Sequence, residues 1–78
     1  MEENLSWRAR LARRNINVLN VDDDRHRWYY EFMYHPYAGQ TKWCKTFMDI
    51  DPEVWPTDDD VATELQGQVL NLRKELER

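Results

Sequence analysis

The chain has 78 residues, a net charge of −4 and one cysteine, Cys44, which leaves room for one domain (1–78) and for no intrachain disulfide. No stretch is apolar for long enough to span a bilayer, and with Gly39 and Gly67 as the only glycines no Gly-rich phosphate cradle can form. The acidic start Met1-Glu2-Glu3-Asn4 lacks the apolar run of a signal peptide, and a lone thiol suits a reducing compartment, so a cytoplasmic protein is expected.

Residues 4–14 read as a helix, rich in Ala, Leu and Arg. Its face is ambiguous. Leu5, Ala9, Ala12 and Ile16 form one stripe, while Trp7 and Leu11 lie on the opposite side. Residues 16–21 are short and β-branched, a first strand that the Asp22-Asp23-Asp24 run ends. Residues 27–35 alternate as a strand, with Trp28, Tyr30, Phe32 and Tyr34 on one face and Tyr29, Glu31, Met33 and His35 on the other. Pro36-Tyr37-Ala38-Gly39 signals a turn into a third strand, 41–50, and hence an antiparallel hairpin. Trp43, Lys45, Phe47 and Asp49 share one face of that strand; Cys44, Thr46, Met48 and Ile50 share the other.

Asp51 to Pro56 read as a loop with Val54 and Trp55 tucked against the core. Thr57 caps a final helix, 58–77, whose first turn places Asp58, Asp59 and Asp60 at the positive end of the helix dipole. Val61, Leu65, Val69, Leu72 and Leu76 form its apolar stripe, and Leu70 points away from it. The fold class is α+β: a small single domain in α-β-β-β-α order, a three-stranded antiparallel sheet packed with one or two helices. The expected core is Leu19, Phe32, Trp43, Phe47, Val61, Leu65, Leu72 and Leu76.

The order resembles that of the double-stranded RNA-binding domain in topology alone. That family binds phosphates with a Lys-Lys-x-x-Lys start to its last helix, where this chain has Thr57-Asp58-Asp59-Asp60. Negative charge there opposes phosphate binding.

A domain this short buries only about 60% of the surface its unfolded chain exposes. Four Trp, four Tyr and two Phe supply bulk in place of disulfides, and more rings than one small core can hide. Charge is uneven. Arg8, Arg10, Arg13 and Arg14 make a basic head, and the acids from Asp49 onward make an acidic tail.

Cys44 with His26 or His35 is the only thiol–imidazole combination, and its strand position reads as a small core residue. Neither histidine stands at a metal-ligand spacing, and the acidic runs lack the calcium-loop pattern. No catalytic site, no metal and no cofactor are expected. Helix one lacks the broad apolar face of a membrane-surface helix.

The expectation is therefore a non-catalytic protein-binding module, a small regulator or inhibitor of a larger protein, of the accessory type that phages and mobile elements encode. Trp7, Arg10, Arg14, Tyr29, Met33 and Tyr37 are its candidate partner-binding residues, because such types are enriched at interfaces. One alternative is a single-stranded nucleic-acid-binding protein that stacks bases on aromatic strands and holds the backbone with the Arg-rich helix. Another is an acidic nucleic-acid mimic using Asp58, Asp59 and Asp60. Leu70 or an unpaired strand edge offers a route to a homodimer.

Overall fold

The structure, a computed structural model, describes residues 2–77, with side chains from Trp7 to Glu77. The chain runs α1 (Glu2–Ala12), β1 (Ile16–Asp22), β2 (Arg27–Tyr34), β3 (Lys42–Asp49) and α2 (Asp58–Leu76). The strands form one antiparallel sheet in the order β1-β2-β3. The α-β-β-β-α order expected from the sequence is the order observed.

Local chemistry sets the element ends. Asn15 adopts φ 60°, the left-handed conformation that suits Asn after a helix, and turns the chain from α1 into β1. Its carbonyl then accepts the Met33 N–H at 3.0 Å, which starts the β1–β2 ladder. In the β1–β2 turn the Asp22 carboxylate accepts the Arg25 N–H at 3.2 Å, and His26 bends through φ 52°. Gly39, at φ 79°, supplies the left-handed residue between β2 and β3. Thr57 caps α2 as expected: its hydroxyl accepts the Asp60 N–H at 3.1 Å.

Both helices lie on one side of the sheet, α1 against β1 and α2 against β2. Between the layers Trp28, Tyr30 and Phe32 of β2 meet Leu11, Ile16, Met48, Val61, Ala62, Leu65 and Val69. Trp7 packs on Trp28 with ring centroids 4.8 Å apart. The two-sided reading of α1 resolves here: Trp7 and Leu11 are buried, and Ala9 and Ala12 are exposed. The side chain of Leu5, expected on the stripe of Ala9 and Ala12, and Arg78, expected near the end of α2, lie outside the described residues.

The expected core needs four corrections. Trp43 and Phe47 are about half exposed, because the hairpin register pairs them with Met33 and Tyr29 on the sheet face away from the helices. Leu19 is the extra residue where the β1–β2 register shifts between Val18 and Asn20, and it projects into solvent. Leu76, in the last turn of α2, is also exposed. Phe32, Val61 and Leu65 are buried and Leu72 partly so. Val54 is exposed in its loop, and only Trp55 packs against the core.

Polar contacts tie the layers together. Arg10 of α1 donates from Nε to Gln66 at 2.9 Å, and its other guanidinium nitrogens reach Asp59 and Thr63, each at 3.3 Å. Arg73 of α2 donates from Nε to the Met33 carbonyl at 2.8 Å and from Nη2 to the Arg14 carbonyl at 2.7 Å.

Candidate functional site

The face of the sheet opposite the helices is built by alternation. Arg27, Tyr29, Glu31 and Met33 of β2 point outward and stand opposite Asp49, Phe47, Lys45 and Trp43 of β3. On the other flank Asp22, Asn20 and Asn17 of β1 stand opposite Arg27, Tyr29 and Glu31. Apolar pairs therefore alternate with polar ones: Arg27–Asp49, Tyr29–Phe47, Glu31–Lys45, Met33–Trp43. Among the described residues neither helix covers this face.

The geometry is ordered. The Phe47 and Tyr29 rings meet edge-on, with centroids 6.0 Å apart. The Arg27 guanidinium lies 4.1 Å over the Phe47 ring while its Nε donates to Asp49 at 2.8 Å. That bond to Asp49 raises the Arg27 pKa further above its ordinary value. Asn17 donates to the Glu31 carboxylate at 3.0 Å. Trp43 remains 47% exposed and Phe47 46%, so these two rings give the face its free apolar area.

The candidate partner-binding residues scatter. Tyr29 and Met33 sit on this open face, half-buried between their cross-strand neighbours. Trp7 is 9% exposed and belongs to the core, so it offers no surface to a partner. Arg10 is held between the helices by Gln66, Asp59 and Thr63. Arg14 is exposed at the end of α1 and bonds back to the Arg10 carbonyl at 3.4 Å. Tyr37 stands 70% exposed in the β2–β3 turn. The fold thus places the arginines of α1 on the helix side and the exposed rings on the opposite side.

Trp43, Phe47 and Arg27 were the functional candidates that sequence reasoning passed over. A signal for the first two was present. Lys45 and Asp49 share their face, whereas the other face from Cys44 to Ile50 carries no charge: Cys44, Thr46, Met48 and Ile50.

The fold also collects charge at its two ends. Asp22, Asp23, Asp49, Asp51 and Asp58 to Asp60 lie where β1 and β3 finish and α2 begins. Asp22, Asp23 and Asp58 line one cleft of about 150 Å³ with His26, Trp28 and Trp55. The Arg25 backbone N–H holds the Asp22 carboxyl below its ordinary pKa. Asp59 is engaged by Arg10. Arg13, Arg14, Lys42, Arg73 and Lys74 lie at the opposite end, where α1 and α2 finish and β3 begins.

Cys44 is half-buried beside the core. His26 precedes β2 and His35 follows it, and the His35 ring donates from Nδ1 to the Gln40 carbonyl at 2.9 Å. Among the described residues no three His, Cys, Asp or Glu side chains converge as metal ligands, and no helix is long and apolar enough to cross a membrane. No protein-family model, curated protein or solved structure matches the chain.

Proposed function

We propose that the protein is a non-catalytic protein-binding module, a small regulator or inhibitor that docks a larger protein on the open face of its sheet. The observation that carries this reading is the pair of rows Tyr29–Phe47 and Met33–Trp43 on a face that, among the described residues, no helix covers. Aromatic and methionine side chains framed by polar residues are the composition of an interface centre.

The charges of the face favour protein over nucleic acid. Arg27 is already paired with Asp49, and Glu31 stands opposite Lys45. A single strand stacking on the rings would need free cations beside them. The exposed arginines of α1 lie across the molecule and cannot grip the same strand.

The test compares capture from the native host by the wild-type chain and by Trp43→Ser and Phe47→Ser. Both side chains are about half exposed, so the variants retain the wild-type circular dichroism. A specific protein captured by the wild type and lost with either variant is the expected result. Capture that both variants leave intact, or retention on immobilised single-stranded DNA or RNA at about 150 mM salt, would overturn it.

A second reading, the acidic mimic, has the clustering of Asp22, Asp23 and Asp58 behind it. In that case capture survives at Trp43 and Phe47 and fails when Asp58, Asp59 and Asp60 are changed to Asn.

A further inference from the structure

β3 is an outer strand, and its free edge is regular. The Ile50 N–H donates to the His26 carbonyl at 2.7 Å, so the pair His26–Ile50 is hydrogen-bonded. Antiparallel ladders alternate, so the even-numbered residues of β3 bond to β2. The N–H and C=O groups of Trp43, Lys45, Phe47 and Asp49 then point away from the sheet. Among the described residues no backbone or side-chain group bonds them. β3 pairs with β2 through all eight of its residues without a shift, whereas β1, the other outer strand, is interrupted at Leu19. A bulge blunts an edge, and an uninterrupted strand offers one for pairing.

We propose that this edge binds a second copy of the chain, β3 against β3 and antiparallel, to give one continuous six-stranded sheet. The charge along β3 selects this occupant. Lys42 opens the strand at the basic end of the molecule and Asp49 closes it at the acidic end. Antiparallel apposition sets the acidic end of each copy beside the basic end of the other.

Charge also selects the register. Residues directly opposite must lie on the same sheet face, so the two-fold axis passes through a residue of β3. An axis at Lys45 would set two lysines face to face, which destabilises a cross-strand pair. An axis at Phe47 sets Lys45 opposite the second copy's Asp49 twice and stacks the two Phe47 rings between them. An axis at Thr46 sets Lys45 opposite Phe47 and Trp43 opposite Asp49 and forms no ion pair, so the Phe47 axis is the pairing. It leaves the open face uncovered, because the second copy extends that face edge to edge. The dimer goes beyond the protein-binding reading and does not depend on it.

The test is a charge exchange read by sedimentation equilibrium and by amide hydrogen exchange. The wild type should pass from its monomer mass of 9.6 kDa to twice that mass as concentration rises. The Lys45, Phe47 and Asp49 amides should gain protection in step. Lys45→Glu alone faces Asp49 with Glu, and Asp49→Lys alone faces Lys45 with Lys. Each should raise the dimer dissociation constant about tenfold. An equimolar mixture of the two variants pairs Glu with Lys and Lys with Asp, and should restore dimerisation as a heterodimer. Within the chain Lys45→Glu stands opposite Glu31 and Asp49→Lys loses the Arg27 pair, costs that each variant carries into the mixture as well. Circular dichroism verifies that each still folds, and the gain of the mixture over its two components reads the interface alone. A wild type that stays at 9.6 kDa at every concentration overturns the proposal. So does a mixture no stronger than its two components, or a wild-type dimer in which the β3 amides stay unprotected.

Discussion

Arg73 is the side chain on which the most separate parts of the chain converge. Its two bonds satisfy the Met33 carbonyl at the end of β2 and the Arg14 carbonyl beyond α1. Asn15, which accepts the Met33 N–H, spends its own N–H on the Ala12 carbonyl, so the Met33 carbonyl lacks its ladder donor and Arg73 fills a real vacancy. Its guanidinium also lies 5.9 Å from the centroid of the Phe32 ring. Arg73→Ala should therefore cost about 2 kcal/mol in urea denaturation, the scale of losing a charged donor to one partly buried and one exposed carbonyl. Arg73→Lys should recover little, because one ammonium cannot replace a planar fork reaching two acceptors. A loss below about 0.5 kcal/mol, the scale of an ordinary surface substitution, would mean water serves those carbonyls equally well. None of this was legible in the sequence, where Arg73 read only as a cation suited to a helix C-terminus. The partners lie 40 and 59 residues away, and no local pattern encodes such contacts.

At the scale of elements, turn and cap chemistry was legible because it is local. The Asp22-Asp23-Asp24 run, Pro36 to Gly39 and Thr57 each mark a boundary that the structure keeps to within one residue. The first helix is the exception, since Asn15 in the left-handed region stops it at Ala12, short of Arg14. Faces were harder to read. Alternation correctly divided β3 into two sets, and the choice of buried set fell on the larger rings. The register overrides ring size: Cys44 stands opposite the buried Phe32 and Met48 opposite the buried Trp28. Part of the candidate site was therefore hidden by its own bulk. Gly67 gives a prediction at this scale. It lies inside α2, and a Cβ built there meets nothing within 4 Å. Close packing on the sheet thus plays no part at this position, and Gly67→Ala should stabilise the protein by about 1 kcal/mol through helix propensity alone. A thermal midpoint that stays level or falls would show that the glycine serves something else.

For the whole molecule, one shared core of rings does what disulfides do elsewhere, and that core has a titratable centre. Tyr30 is 1% exposed, flanked by Phe32 with centroids 6.2 Å apart. Burial raises its hydroxyl above the ordinary value of 10.0, because the phenolate would lose its hydration. The sign of the pH dependence follows from linkage. A group whose folded pKa is raised contributes fully below its unfolded value, here 10.0, and loses that contribution as pH rises through the folded value. Stability should therefore hold level toward pH 10 and then fall, as the unfolded chain releases the Tyr30 proton more readily than the folded one. Tyr30→Phe fills the same space without the hydroxyl, so its stability should decline less between about pH 10 and 12. Denaturation midpoints measured across that range for both proteins decide the point. Parallel curves would place the alkaline weakness outside Tyr30, and not in the ion pairs Arg27–Asp49 and Arg10–Asp59, whose partners both stay charged over that range. A steeper wild-type curve would locate it at Tyr30, and would mean that the aromatic packing which lets so short a chain fold also sets the upper limit of its pH range.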